Sequence, residues 1–353
     1  MRILIVKLSS IGDVVHTLPA AARIRQAMPE AHISWIVERR AAEILKGTPV
    51  INELIEIDTR EWRKNVISKA TLEDIRGKLG QVRTGASNNG ASASSVDIAI
   101  DFQGLIKSGV VTLATGAARR IGFETRELRE KASRFFLNEQ VETAQIKHVI
   151  EKNLALAGSL IDNEEPLKSQ YEFPIYVSPE DEEYADHVMA RVGSRFAIIN
   201  PGGGWPTKLW PADRYGEVAD WLSNNRAINS IVTYGPGEEA MAEAVRASSR
   251  SNAAHPTPST LKQFVALARR ASLFVGGDTG PLHLAAASGT PIVGLYGPTS
   301  PERNGPFNNK DITVGRDLWC RTDCHRRSCW HWECMNIPVG EVLDAISRRL
   351  SHN

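Results

Sequence analysis

Short apolar runs alternate with amphipathic, helix-like stretches along most of this 353-residue sequence. The runs that we predict to be strands span 2–7, 33–37, 54–57, 96–101, 196–200, 230–234, 273–275 and 291–296. A helix is predicted over 14–28, and helical patterns separate the other runs. Strand–helix alternation predicts parallel sheets with helices on both faces, which is an α/β fold.

The length of the chain exceeds what one ordinary core supports, so we expect two domains. The alternation pauses over 172–183, where two prolines and an acidic cluster are typical of a linker. We therefore predict two doubly wound, Rossmann-like domains, residues 1–177 and 178–353, with a ligand cleft between them. The stretch 84–95 is rich in Ser, Gly, Ala and Asn, which predicts a mobile loop.

Composition excludes several classes of protein. Lys plus Arg number 42 and Asp plus Glu number 41, so net charge does not indicate a nucleic-acid partner. The sequence starts directly with a strand-like run rather than a signal peptide, and it holds no apolar run of about 18 residues. We expect a cytoplasmic protein.

The strongest motif follows the apolar run that ends at Val275. Two glycines break that run, and a helix is predicted to open with Pro281 in its first turn, where a missing amide hydrogen costs nothing. The amides around Asp278, Thr279 and Gly280 would then meet the positive end of the helix dipole. This arrangement predicts an anion site.

The first strand is followed by Lys7-Leu-Ser-Ser-Ile-Gly-Asp13, which lacks the GxGxxG pattern of dinucleotide-binding loops. Asp13 has two interpretations that its position alone leaves open. It could cap the next helix, or it could act as a base that takes a proton from an incoming hydroxyl. For His16, one turn further along, a supporting structural role is favoured.

A glycine-rich loop, Asn200-Pro-Gly-Gly-Gly-Trp-Pro-Thr-Lys-Leu-Trp-Pro211, follows a strand in the second half. It is not a P-loop, but its three glycines allow a ligand to come close to the backbone. Thr207 and Lys208 add a hydroxyl and a cation, so the loop favours phosphate binding. Glu238 follows the next strand and could bind ribose hydroxyls or simply favour a helix start. Because no Asp-X-Asp pair occurs, the charge of a diphosphate would fall to residues 278–281 and Lys208.

Two clusters of residues have more than one possible function. Basic residues gather at 60–64, at 119–120 and over 126–134, either as solvated faces or as a site for an anionic acceptor. Four cysteines lie within 15 residues: Cys320, Cys324, Cys329 and Cys334. Their spacing matches no standard metal-binding ribbon. Two interpretations remain: reduced thiols in a packed loop, or a structural zinc or iron–sulfur site to which His325 or His331 could contribute.

Taken together, these motifs resemble the heptosyltransferase family of lipopolysaccharide core synthesis, glycosyltransferase family 9. The matching segments are Leu4 to Pro19, Asp101 to Ser108, Pro201 to Pro211, Asp278 to His283 and Tyr296 to Thr299. The resemblance implies a GT-B fold with an interdomain cleft, an ADP-heptose donor, no cofactor or catalytic metal, and inversion at the anomeric carbon. It also implies a monomer that does not bind nucleic acid and lies at the inner face of the inner membrane.

The same resemblance assigns site residues. Asp13 is the expected base. The expected donor residues are Ser9, Ser10, Thr207, Lys208, Glu238, Asp278, Thr279, Gly280 and His283. The chain looks most like the branch that adds the first heptose to a Kdo sugar of lipid A, which implies acceptor contacts at Arg60, Arg63, Lys64, Arg120, His148 and Lys152. The cysteine-rich tail departs from that branch.

Three alternatives remain. A family member with another acceptor, such as a second-heptose enzyme, would share these motifs. A Rossmann dehydrogenase is disfavoured by the missing GxGxxG. A non-catalytic sugar-nucleotide-binding protein is disfavoured because Asp13, Lys208, Asp278 and His283 are all intact.

Overall fold

The structure, a computed structural model, describes residues 1–64, 73–74, 76–78, 80–81, 95–161, 171–320, 324, 328–329 and 332–351. The chain divides into two compact units, Met1–Tyr176 and Val177–Asn353. This division lies one residue from the predicted boundary. The predicted mobile loop, apart from its last residue, lies outside the described residues.

Unit 1 is built on a parallel sheet. Its strands are β1 (Arg2–Val6), β2 (His32–Glu38), β3 (Glu53–Ile57), β4 (Ile98–Asp101), β5 (Arg119–Phe123) and β6 (Glu139–Val141). Its described helices are α1 (Ile11–Val15), α2 (Leu18–Ala27), α3 (Arg39–Leu45), α4 (Thr59–Lys64), α5 (Ile106–Ala114) and α6 (Val149–Gly158), with a 3-10 turn over Lys131–Phe136. The strand order is β3-β2-β1-β4-β5-β6.

Unit 2 repeats this architecture. Its strands are β7 (Phe196–Asn200), β8 (Asn229–Tyr234), β9 (Ala254–Pro258), β10 (Leu273–Gly277), β11 (Ile292–Leu295) and β12 (Ile312–Val314). Its described helices are α7 (Pro179–Val192), α8 (Ala212–Arg226), α9 (Glu239–Ser248), α10 (Leu261–Ala268), α11 (Gly280–Ala287), α12 (Pro301–Asn304) and α13 (Val339–Ser351). Two 3-10 turns span Pro206–Lys208 and Glu333–Met335. The strand order is β12-β11-β10-β7-β8-β9.

Both sheets change winding direction at one place, between β1 and β4 in unit 1 and between β7 and β10 in unit 2. All described strand pairs are parallel, so the carboxyl ends of the strands share one edge of each sheet. Ligands of doubly wound sheets bind at that edge, beside the switch point. The prediction of two doubly wound α/β units is confirmed.

The central strands are continuous apolar runs because helices cover both faces. In unit 1, residues Ile3 to Val6 of β1 are buried, and in unit 2 the whole of β7 is buried. The core of unit 2 includes Ile199, Val275 and Leu295 from neighbouring strands. These cores hold the strand ends, and hence the loops that follow them, in fixed positions.

Three sequence predictions need correction. The helix predicted over 14–28 is two helices, since the chain breaks at His16 and restarts with Pro19 in the first turn of α2. The acidic residues of the predicted linker belong to the first turn of α7, whose amino end is capped by Ser178 and Asp181. Four strands, β5, β6, β9 and β12, were not predicted.

None of the described helices is both long enough and apolar enough to cross a bilayer.

Candidate active site

Asp13 lies in the first turn of α1, which follows the carboxyl end of β1 at the switch point of unit 1. The backbone amide and the hydroxyl of Ser10 both donate to Oδ2 of Asp13, at 2.8 and 2.9 Å. The carboxylate is half-buried and sits in the first turn of α1. Asp13 therefore caps the turn, and a carboxylate so held is also in a position to accept a proton.

The loop after β4 supports the loop that carries Asp13. The side-chain oxygen of Gln103 accepts hydrogen bonds from the amides of Leu8 and Ser9, both at 3.1 Å. Lys7, which is buried, donates to the carbonyl of Phe102 at 2.7 Å. Sequence reasoning missed Gln103 and Lys7 as site residues, although both lie within segments that carry the family resemblance.

Asp101 anchors this second loop. It accepts from the amides of Gln103 and Gly104, at 2.8 and 3.2 Å, and from the hydroxyl of Ser108 at 2.8 Å. Burial raises the pKa of the Asp101 carboxyl, while these hydrogen bonds and the charge of Lys7 act to lower it. The residue is 1% exposed, so it positions the loop rather than contacting a ligand.

His16 and His148 meet at the end of α1. Their rings pack edge to face with centroids 6.0 Å apart, and His148 caps α6 by accepting from the amide of Ile150 at 3.3 Å. The side chain of Asn153 donates to the carbonyl of His16 at 3.0 Å and to the hydroxyl of Thr17 at 3.1 Å. The predicted acceptor residue His148 therefore lies near the turn that holds Asp13.

The remaining predicted acceptor residues divide into two groups. Arg60 is exposed on α4, which follows the carboxyl end of β3 and so starts at the same edge as Asp13. Arg63 and Lys64 belong to the same helix, but their side chains are outside the described part of the structure.

Arg120 and Lys152 are engaged elsewhere. Arg120 lies near the amino end of β5 and donates to the carbonyls of Phe136 and Ala117, at 3.0 and 2.8 Å. Lys152 is bound to the carboxylate of Glu127. Both cations are bonded within unit 1, and their assignment to the acceptor site stays a prediction.

In unit 2, a buried ion pair joins the loops after β7 and β10. Nζ of Lys208 donates to Oδ2 of Asp278 at 2.6 Å and to its carbonyl at 2.8 Å. Nε2 of His283 lies 3.1 Å from Oδ1 of Asp278, and the side-chain amide of Asn304 donates to the same oxygen at 2.8 Å. The ammonium of Lys208 also lies 4.4 Å from the ring centroid of Trp205.

Asp278 is the centre of this network. Burial opposes ionisation, but the hydrogen bond and charge of His283, together with Lys208, outweigh it and hold the pKa of Asp278 well below its usual range. Protein groups use both oxygens of the carboxylate. The geometry gives Asp278 a positioning role toward Lys208 and His283, and its role as a donor contact stays a prediction.

The helix start beside this pair matches the sequence prediction. Thr279 is the N-cap of α11 and Pro281 lies in its first turn, while the Thr279 hydroxyl is turned back to the carbonyl of Gly277 at 3.3 Å. In the described structure, no side chain caps the amides of this first turn. A Cβ at Gly277 would meet the carbonyl oxygen of Lys208 at 3.3 Å, so glycine permits the close approach of the two loops.

The same edge carries further polar groups. Oε2 of Glu238 accepts from the amide of Gly235 at 3.1 Å, and its carboxylate lies directly against Gly202. Three buried polar atoms here have no hydrogen-bond partner among the described residues: Oδ1 of Asn200, Nε1 of Trp205 and Oγ1 of Thr299. Buried polar atoms are normally satisfied, so unpartnered ones that follow the carboxyl ends of β7 and β11 are compatible with a ligand site at this edge.

The choice between reduced thiols and a metal site at the four cysteines stays a prediction. Within the described residues, no cysteine forms a disulfide, and no group of three or more His, Cys, Asp or Glu side chains is arranged to hold a metal ion. Burial raises the pKa of the Cys334 thiol, and charges at Cys329, Cys320 and Cys324 raise it further. His325 and His331 lie outside the described residues.

Comparison with known proteins agrees with this architecture. A family model described as glycosyltransferase family 9 (heptosyltransferase) matches residues 91–331. Lipopolysaccharide heptosyltransferase 1 of Pseudomonas aeruginosa is 29% identical over 335 residues, which cover 93% of this chain and 87% of that protein.

Two solved structures of the Escherichia coli heptosyltransferase WaaC are also similar. The ADP complex aligns with a TM-score of 0.77 and 25% identity, over 99% of this chain and all of that chain. The complex with ADP-2-deoxy-2-fluoro heptose gives a TM-score of 0.72 and 26% identity, over 89% and 93% of the two chains.

The fold and these similarities define a glycosyltransferase of the GT-B type. More specifically, the chain belongs to glycosyltransferase family 9, the heptosyltransferases.

Proposed function

We propose that this enzyme transfers heptose, with inversion, from ADP-L-glycero-D-manno-heptose to a Kdo residue of Kdo2-lipid A in lipopolysaccharide inner-core synthesis. One observation carries the donor half of this proposal. The buried Lys208–Asp278 pair lies beside the uncapped start of α11, at the switch point of unit 2. Relatives named lipopolysaccharide heptosyltransferase 1 support the choice of pathway.

The donor half uses unit 2. The diphosphate of the donor binds the amides at Thr279 and Gly280, where the helix dipole favours negative charge. Lys208 supplies a buried cation, which Asp278 holds in place with the support of His283. Glu238 binds the ribose hydroxyls from its position against Gly202, with Thr207 beside the phosphates.

The acceptor half uses unit 1. Asp13 removes the proton from the acceptor hydroxyl as that oxygen forms a bond to the anomeric carbon. The bond from this carbon to the phosphate oxygen breaks on the opposite face, and its electron pair leaves with ADP. Base catalysis of this kind typically contributes about 10²–10⁴-fold.

Lys208 and the α11 amides neutralise the charge that develops on the leaving phosphate, and they are aimed at it before the reaction starts. Ser9 and Ser10 would assist from the Asp13 loop. In this mechanism no metal ion is required.

The proposed contacts to the anionic acceptor are Arg60, Arg63, Lys64 and His148. The enzyme acts in the cytoplasm as a peripheral protein of the inner membrane.

The test is a transfer assay with a panel of donors and acceptors. The purified enzyme is incubated with ADP-heptose, UDP-glucose or GDP-mannose, together with Kdo2-lipid A or its mono-heptosylated form, with and without EDTA. We expect one heptose to be added to Kdo2-lipid A from ADP-heptose only, unaffected by EDTA, as read by mass spectrometry. Transfer only to the mono-heptosylated acceptor would instead identify a second-heptose enzyme.

A further inference from the structure

Helix α5 (Ile106–Ala114) has its polar and apolar faces inverted. Its buried positions include Ser108, Gly109 and Thr112, whereas Ile106, Val110 and Leu113 are 43%, 49% and 48% exposed. These three apolar residues are spaced by four and three positions, so they form one strip along the helix. A helix that covers a sheet normally presents the opposite pattern.

The buried polar face fixes this orientation. The Ser108 hydroxyl donates to Oδ2 of Asp101 at 2.8 Å, and the Thr112 hydroxyl donates to the carbonyl of Ser108 at 2.9 Å. These bonds tie α5 to the end of β4. Rotating the helix to bury the apolar strip would leave these hydroxyls and the Asp101 carboxylate without partners, which is costly.

A second apolar element extends the strip. The turn Lys131–Phe136 packs on α5, where a Cβ at Gly109 would lie 2.5 Å from the ring of Phe136. The neighbouring Phe135 is 79% exposed, and the guanidinium of Arg134 lies 5.5 Å from its ring centroid. We call the exposed side chains of Ile106, Val110, Leu113 and Phe135, with Arg129, Lys131 and Arg134, the docking face.

The docking face carries positive charge. Arg129, Lys131 and Arg134 are exposed, and none forms an ion pair within the described part of the chain. Two of the three acidic groups nearby in sequence are paired with a cation, and the third, Glu130, keeps its charge, so the cations of the face outnumber the unpaired carboxylates. Glu124 is bound to Arg126, Glu127 to Lys152, and Glu130 accepts from the amide of Ile106 at 2.7 Å.

From this combination we infer that the docking face binds the surface of an anionic phospholipid bilayer. Exposed apolar side chains beside basic ones are the pattern of interfacial membrane binding, where the apolar groups enter the acyl boundary and the cations meet the headgroups. A contact between two copies would instead set the same positive charges against each other.

The position of the face fits the acceptor half of the site, and this step rests on the proposed function. Helix α5 begins five residues after Asp101, at the sheet edge where Asp13 lies. A bilayer bound here would present a lipid-linked acceptor to the edge of unit 1 that carries the base.

The experiment measures vesicle binding without either substrate, so its outcome is independent of the transfer reaction. Vesicles of phosphatidylethanolamine with phosphatidylglycerol are compared with pure phosphatidylcholine by flotation. We expect the wild-type enzyme to bind the anionic vesicles only. Phe135→Ser should weaken that binding about tenfold, because a largely exposed aromatic anchor is lost. Removing the three charges (Arg129→Gln, Lys131→Gln, Arg134→Gln) should weaken it by about fivefold per charge.

Matched controls lie in unit 2. Trp319→Ser removes an aromatic side chain that is 89% exposed, and the pair Arg250→Gln and Arg348→Gln removes exposed charges. Both should bind vesicles like the wild type. Because Phe135 is so exposed, its variant should keep the wild-type melting temperature and its activity on a lipid-free, water-soluble acceptor.

Three results would overturn the inference. The first is a wild-type enzyme that does not bind anionic vesicles, and the second is docking-face variants that bind them equally well. The third is a docking face that holds two copies together, seen as a dimer that Phe135→Ser converts to monomer in sedimentation while vesicle binding is unchanged.

Discussion

At the scale of residues, Lys208 and Asp278 form a pair whose function and stability are coupled. Their side chains are almost fully buried, and they join loops that are 70 positions apart in sequence. The sequence named both residues from their motifs, as separate donor contacts. Their pairing could not be predicted, because it depends on how β7 and β10 lie side by side.

We predict that Lys208→Gln lowers both donor affinity and kcat, with a fall in kcat/KM of about 10² or more, because the cation facing the leaving phosphate is lost. The variant should also lose roughly 3–5 kcal/mol of unfolding free energy, since Asp278 keeps its charge in a buried site. Kinetics and urea unfolding measure the two effects.

The double variant Lys208→Gln with Asp278→Asn separates the effect on donor binding and rate from the effect on stability. It removes the uncompensated charge, so stability should recover in large part while donor binding stays weak. Recovery of both properties would mean that Lys208 is a structural residue only.

At the scale of elements, the loops after β1 and β4 act as one support for Asp13. Gln103→Ala removes the oxygen that accepts from Leu8 and Ser9, and small misplacements of reacting groups can cost about 10²-fold in rate. We expect kcat to fall at least about tenfold with ADP affinity unchanged in calorimetry. Gln103→Glu keeps an acceptor oxygen and should retain most of the rate, so equal losses in both variants would refute this support role.

Asp220 on α8 stabilises the segment between α9 and β9, and its effect should depend on pH. Its carboxylate accepts from the Ser249 hydroxyl at 2.7 Å and the amides of Arg250 and Ser251, both at 2.9 Å. Burial alone would raise the pKa of Asp220, but these bonds lower it to about 2. Because the folded-state pKa lies below the unfolded value of about 3.9, the stabilisation is present above pH 4 and is lost as the pH falls toward 2.

We therefore expect Asp220→Asn to lower the unfolding free energy by about 1–2 kcal/mol at pH 7 and by much less near pH 2.5, in urea titrations at both values. Asp213→Asn in the first turn of the same helix is the control, because Asp213 makes none of these contacts to 249–251. A pH-independent loss at Asp220 would contradict the account.

The elements also show what sequence patterns can and cannot predict. Central strands such as β1 and β7 were found because both faces are buried and the run is continuously apolar. Three of the four outer strands were missed for local reasons. β6 and β12 have three residues each, and β9 contains Pro256 and Pro258, which an edge strand tolerates.

At the scale of the whole molecule, one strand order occurs twice, and each copy has a candidate site at its own switch point. Sequence motifs predicted both candidate sites, because the loops after β1, β7 and β10 carry their residues close together in the chain. They did not reveal the contributions of Gln103, Asn304 or the inverted face of α5, which arise from contacts between distant segments. We therefore propose that catalysis is divided between a base on unit 1 and a diphosphate site on unit 2.

That division is tested most directly by kcat and ADP affinity in Asp13→Asn. The asparagine oxygen can still accept from the Ser10 amide, so the turn is retained, but the side chain no longer accepts the acceptor's proton. We predict a fall in kcat of at least about 10²-fold with ADP affinity unchanged within a few-fold. A variant that keeps the full kcat, or one that loses ADP binding as strongly as it loses rate, would contradict it.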